Sequence, residues 1–182
     1  DAVTPEMRRA AKATNFGIVY GISAFGLARN AGISRKEADS FIAAYFERYP
    51  GVRAYMDECV RLGYERGYAE TMMGRRRELF ELRSANRNVR GFGERAAMNT
   101  PVQGTAADII KTAMVRVGER LRAGGFAARL ILQVHDELVV ECPAEEADAV
   151  AALLRDAMET VVTLRVPLAA EVSRGKDWEQ AH

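Results

Sequence analysis

Arg8-Arg9-Ala10-Ala11-Lys12-Ala13-Thr14-Asn15-Phe16-Gly17-Ile18-Val19-Tyr20-Gly21 is the stretch from which the rest of the 182-residue sequence is read. Thr4-Pro5 ahead of it marks a helix start, with Thr4 as N-cap and Pro5 at the first helical position. Gly21 is a stop, so the spacing predicts one helix running to about Tyr20. Arg8, Lys12, Phe16 and Tyr20 then fall at i, i+4, i+8 and i+12, a ridge about 18 Å long at roughly 1.5 Å per residue. Two cations stand toward the N-terminal end, where the helix macrodipole disfavours positive charge. An anion accepting from Arg8, Lys12 and the helix end would compensate. With two flat rings at the other end, the ridge has the polarity of a nucleoside triphosphate. On spacing alone the row also reads as two core aromatics beside a solvated basic face, the commoner arrangement for a helix.

Outward from this helix the punctuation is regular. A short helix over 25–30 ends at Gly32. Ser34 caps a longer one with Ala38, Ile42, Tyr45 and Phe46 at helical spacing. Pro50-Gly51 breaks it, and 52–66 forms another that Gly67 ends. Segments 68–73 and 77–82 predict a hairpin with a basic tip at Gly74-Arg75, and 84–104 a helix disturbed at Pro101. Thr105 with Asp108 has the pattern of a capping box opening a helix over 106–122, which Gly124-Gly125 terminates. Apolar runs 129–134 and 138–142 flank His135-Asp136-Glu137 as an antiparallel hairpin with a polar tip. An amphipathic helix over 144–162 and a final strand over 168–172 complete the chain. The class is α+β, rich in helix, with an antiparallel sheet late in the sequence.

Composition narrows the function classes. A hydrophobic fraction of 48% and a charged fraction of 28% exclude wholesale disorder. No apolar run approaches the roughly 20 residues that span a bilayer, and no signal peptide opens the sequence, so no membrane partner and a cytoplasmic location are expected. Cys59 and Cys142 stand far apart, and the two histidines, His135 and His182, form no zinc-type cluster. The chain opens at Asp1 rather than methionine and reads as a piece of something longer. The net charge of +1 hides an asymmetry: residues 1–95 carry 17 Lys/Arg against 12 Asp/Glu, and residues 96–182 carry 9 against 13. A basic stripe beside an acidic region suits a protein that holds a polyanion near metal-binding carboxylates, and equally an unevenly charged solvated surface.

Two further constellations bear chemistry. Asp136-Glu137 would ordinarily be solvated turn residues. Here Leu130-Ile131-Leu132 and Leu138-Val139-Val140 offer a rigid scaffold, which a metal-binding carboxylate requires. Arg95, Asn99 and Gln103 lie at i, i+4 and i+8. Every base pair presents minor-groove acceptors, so donors in such a row can check pair geometry without reading sequence. Three polar residues on an exposed helix face would look the same.

The stretch from Arg8 to Gly21 closely resembles the nucleotide-binding helix of family A DNA polymerases, the bacterial DNA polymerase I type. Val134-His135-Asp136-Glu137 resembles the same family's catalytic-metal motif. Glu94-Arg95-Ala96-Ala97-Met98-Asn99 and Val102-Gln103-Gly104-Thr105-Ala106-Ala107-Asp108 resemble its palm helix. The motifs occur in the family's order, and the likeness extends to Asp177-Trp178-Glu179-Gln180-Ala181-His182. At Phe80-Glu81 relatives usually carry a proline.

The resemblance implies a fingers subdomain over 1–84 and the C-terminal part of an antiparallel-sheet palm over 85–182, within the polymerase right-hand fold. It implies template-dependent transfer of deoxynucleotides to a primer 3′-hydroxyl in DNA replication and repair. Arg8 and Lys12 would bind and neutralise the triphosphate, with Lys12 acting on the departing pyrophosphate; both are implied catalytic residues. Phe16 would stack on the incoming nucleoside, and Tyr20 would stand beside the templating base. Asp136 would be the catalytic metal ligand and Glu137 an accessory acid. Primer–template DNA would meet Tyr20, Arg75, Arg76, Arg77, Arg95, Asn99, Gln103, Gln133 and His135. Mg²⁺ is the implied cofactor and dNTP the nucleotide partner, in a monomer forming part of a longer, nucleoid-associated chain. Two-metal centres, polymerases included, hold ions about 4 Å apart. The family's other metal aspartate belongs to an upstream motif, so the chain alone is expected to be inactive. A phage-type single-subunit RNA polymerase fragment and a non-catalytic DNA-binding module are the alternatives.

Overall fold

The computed structural model describes residues 3–181, with side chains at all but positions 6, 9, 10 and 13. Asp1, His182 and the Arg9 side chain, all used in the sequence reading, lie outside the described residues. The chain divides into two compact units, Asp1–Gly104 and Thr105–His182.

The first unit opens with α1 (Pro5–Val19), α2 (Ala24–Ala31), α3 (Arg35–Arg48) and α4 (Pro50–Arg66). Each boundary has a local cause. The Thr4 hydroxyl accepts from Met7 N–H at 3.2 Å, and Ser34 with Glu37 forms a reciprocal capping box. Gly32 and Gly67 end α2 and α4 in the left-handed conformation, at φ of +67° and +78°. A short antiparallel hairpin follows, β1 (Tyr68–Glu70) with β2 (Arg76–Glu78), in the register Ala69↔Arg77.

The second strand stops sooner than the sequence predicts. Residues Phe80–Arg83 form a 3₁₀ turn, whose threefold repeat puts Leu79 and Leu82 on one side, 1% and 5% exposed. Strand alternation would have sent them to opposite faces. Helix α5 (Arg87–Asn99) begins at the Asn86 cap rather than at Ser84. It packs on α4, where Gly63 admits it: a Cβ there would stand 3.2 Å from Ala97 Cβ and 3.1 Å from Leu79 Cδ1. Ala69, Leu79, Leu82, Ala96 and Ala97 make one buried cluster. The first compact unit therefore extends past 84 and includes α5. The disturbance expected at Pro101 takes the form of a π-helical segment, Thr100–Gly104.

In the second unit α6 (Thr105–Ala123) follows that segment with no intervening extended residue. Thr105 thus stands inside a helical run instead of capping one, because a cap needs an extended backbone. Gly125, at φ +67°, turns the chain into β3 (Arg129–Val134), paired antiparallel with β4 (Glu137–Glu141). Helix α7 (Ala147–Glu159) follows a 3₁₀ turn, Ala144–Glu146, and ends short of the predicted Val162. Val117, Leu121, Ala128, Val150, Leu154 and Ala157 form the core between α6, α7 and the hairpin. The strand predicted over 168–172 is absent among the described residues. At its middle residue two side chains of α7 take the backbone groups instead: Ala170 N–H donates to Glu159 Oε1 at 2.9 Å, and Arg155 Nε donates to Ala170 O at 3.4 Å. A last short helix, α8, spans Trp178–Ala181. The fold is helix-rich with small antiparallel sheets.

Candidate functional site

Within the first unit, α1 separates core from surface along its own length. Ile18 is 2% exposed, while Phe16 and Tyr20 are 50% and 37% exposed. The two rings stack, with centroids 5.9 Å apart and planes 30° apart. They are therefore surface aromatics and not core residues. Arg8 and Lys12 are exposed on the same helix, so the ridge has cations toward one end and a two-ring platform at the other. Gly21, at φ +75°, ends the helix with a turn that L side chains avoid.

That turn also brings α5 close. A Cβ on Gly21 would lie 2.7 Å from Met98 Cε and 3.3 Å from Arg95 Cγ. Arg95 thereby joins Gly17, Tyr20, Gly21, Ile22 and Ser23 around one small pocket. Asn99 is half-buried at the end of α5, and Gln103 is exposed in the π-helical segment. The wider π turn breaks the i, i+4, i+8 repeat, so the predicted ridge does not run straight through to Gln103.

The basic hairpin is exposed but internally engaged. Arg75 N–H donates to Thr71 Oγ1 at 3.1 Å, and Arg75 Nη2 donates to the Gly104 carbonyl at 2.9 Å. Arg76 pairs with Glu70 at 3.1 Å and lies 4.5 Å from the centre of the Tyr68 ring. Arg77 stands 5.7 Å from the centre of the Phe92 ring. Thr71 carries no sequence signal of its own, and Gly104 is read from the sequence only as part of the palm-helix stretch. Their importance arises from a contact between residues far apart in the chain.

In the second unit, the polar tip is tighter than predicted. Val134 pairs with Glu137, so Glu137 is the first residue of β4 and the turn consists of His135 and Asp136 alone. His135 adopts φ +50°, and its carbonyl accepts from Gln133 Nε2 at 2.7 Å. Asp136 is exposed and Glu137 half-buried at this tip. The base of the hairpin is held by Glu146, whose two carboxylate oxygens accept from Ala127 N–H at 3.0 Å and Ala128 N–H at 3.1 Å. The sequence reading missed that clamp. Among the described residues no group of three or more His, Cys, Asp or Glu side chains is placed to hold a metal ion. Asp136 in the turn and Glu137 at the start of β4 are adjacent carboxylates, the hard oxygen chemistry that a divalent cation takes.

The sequence matches the family described as DNA polymerase family A over residues 1–180. DNA polymerase I of Streptococcus pneumoniae is 52% identical and that of Bacillus caldotenax 55% identical, each over 181 residues covering 100% of this chain. The chain spans only 21% of the length of either relative. A solved structure of the POL domain of Pol1 from M. smegmatis, in complex with DNA primer-template and dNTP, has a TM-score of 0.95 and 46% identity. That match covers 100% of this chain and 32% of the solved one. No described helix is long and apolar enough to cross a membrane.

Proposed function

Because this chain belongs to DNA polymerase family A, we propose that it forms the fingers (1–84) and the C-terminal part of the palm (85–182) of a longer DNA-directed DNA polymerase. The reaction is attack of a primer 3′-oxygen on the α-phosphate of a dNTP, with pyrophosphate leaving. The observation that carries this reading is α1, with exposed Arg8 and Lys12 toward one end and the Phe16–Tyr20 stack at the other.

Arg8 and Lys12 neutralise the triphosphate, and Lys12 offsets the charge that develops on the pyrophosphate. Phe16 faces the sugar and base of the nucleotide. Tyr20 and Arg95, which share one pocket, meet the template and the minor groove, and Asn99 and Gln103 continue that contact. Gln133 and His135 face DNA at the hairpin tip, and Arg76 and Arg77 offer charge to phosphates. Asp136, with Glu137 beside it, would hold Mg²⁺. When bound, that ion stabilises the attacking and leaving oxygens. The remaining carboxylate belongs to another part of the longer chain, so the 182 residues alone do not extend a primer. The working protein is a monomer located with the nucleoid.

The test is Asp136→Asn in the complete polymerase, a change that removes charge and keeps shape. Primer extension is expected to be abolished while binding of primer–template stays near that of the parent. Activity retained within about tenfold, roughly 1.4 kcal/mol of barrier, would refute the assignment.

A further inference from the structure

The π-helical segment Thr100–Gly104 holds Gln103 away from the regular repeat of α5. Its last carbonyl, that of Gly104, accepts from Arg75 Nη2 at 2.9 Å, across 29 residues of chain. The same arginine is fixed at its backbone, where its N–H donates to Thr71 Oγ1 at 3.1 Å. Thr71 is itself 6% exposed. Its methyl lies against Gly104, so closely that a Cβ on Gly104 would stand 2.6 Å from Thr71 Cγ2. Arg75, Thr71 and Gly104 thus form one knot that ties the hairpin tip to the residue after Gln103.

We infer that Arg75 is a positioning residue for Gln103, acting through the Gly104 carbonyl, and is not a phosphate contact. The proposal rests on the reading of Gln103 as a minor-groove donor. The physical reason is geometric. A π-helical turn is rare beside the α-helical i→i−4 pairing and is found as single turns, so a contact from outside the helix helps to hold it. A guanidinium is a suitable partner for a carbonyl because it is always charged and its donors are held in a rigid plane. A donor that checks base-pair geometry must be held within about half an ångström of its working place. Losing the clamp should therefore loosen discrimination without changing the number of phosphates neutralised.

These two roles separate by experiment in the complete polymerase. A phosphate contact contributes about 0.9 to the slope of log affinity against log salt on duplex DNA. In Arg75→Ala that slope is expected to equal the parent's. Hydrogen exchange over residues 100–108 should accelerate about fivefold, the effect of one lost hydrogen bond. Extension past a mispaired primer end should rise relative to a matched end. Arg75→Ala should add nothing to the same ratio in Gln103→Ala, because both changes remove one function. A salt slope lower by about one, or unchanged exchange over 100–108, would overturn the positioning role. If Gln103→Ala itself leaves mispair extension unchanged, the minor-groove reading fails. Accelerated exchange in Arg75→Ala would then identify the clamp as structural only.

Discussion

Replacing Gly104 by alanine tests the knot between the hairpin and the π-helical segment most directly. The new methyl would lie 2.6 Å from Thr71 Cγ2, about 1 Å inside the ordinary separation of roughly 3.5–4.0 Å between carbons. Thr71 cannot turn aside freely, because its hydroxyl accepts from Arg75 N–H and the residue is buried. Overpacking of this kind costs about 1–3 kcal/mol. The lower chain entropy of alanine in the unfolded state returns about 0.4–1 kcal/mol. The net expectation is a local destabilisation of about 1–2 kcal/mol. Thr71→Ser deletes the methyl in question and keeps the hydroxyl. Alone it should cost about 0.8 kcal/mol, the value of one buried methyl. With Gly104→Ala it should recover most of the loss, giving a coupling of about 1–2 kcal/mol between two touching residues. The assay is hydrogen exchange over residues 68–78 and 100–108 in the polymerase, where each 1.4 kcal/mol is about tenfold in opening. Exchange in Gly104→Ala equal to or slower than in the parent would refute the overpacking argument. An excess that Thr71→Ser fails to reduce would refute the named contact.

Phe16→Tyr should raise acceptance of 2′,3′-dideoxynucleotides, which lack the 3′-hydroxyl that a tyrosine oxygen could replace. A hydrogen bond near charged phosphate is worth about 1.5–3 kcal/mol, on the order of tenfold to a hundredfold in dNTP-versus-dideoxynucleotide competition, and identical selection by both enzymes would show that Phe16 does not face the sugar. Lys12→Ala should lower kcat/KM for dNTP by a similar factor, with both terms affected, and an unchanged response to dNTP concentration would rule out its charge as a phosphate partner. The Ser34 hydrogen bonds hold the Glu37 carboxyl below its ordinary value of 4.5. A lowered folded-state pKa means that the capping box contributes stability above 4.5, lost as pH falls through the folded value. Protection of the first turn of α3 should therefore fade below pH 4.5 in the parent and much less in Glu37→Gln, which keeps the box without the titrating group; equal pH dependence in both would contradict this.

The sequence by itself determined the features whose causes lie within one turn of chain. Thr4-Pro5, Ser34, and the glycines at 32 and 67 set helix ends through neighbouring backbone groups, and each end stands within a residue or two of its predicted place. The hairpin carrying Asp136 was legible because its two apolar runs and polar turn are contiguous. The row Arg8, Lys12, Phe16, Tyr20 was legible as a spacing, but spacing left open whether its rings were core or surface. Only packing decided that, by burying Ile18 and leaving Phe16 and Tyr20 exposed. The same holds where prediction and structure part. Residues 80–83 turn into a 3₁₀ helix because Leu79 and Leu82 pack with Ala96 and Ala97 of α5. Residues 168–172 stay out of a sheet, and at Ala170 two α7 side chains take the backbone N–H and carbonyl. Arg75 meets Gly104 across 29 positions. Caps and turns are paid for locally and so are written locally. Burial, backbone satisfaction at a distance and the placing of Gln103 depend on which segments meet, and no window of sequence short of the folded unit contains that information.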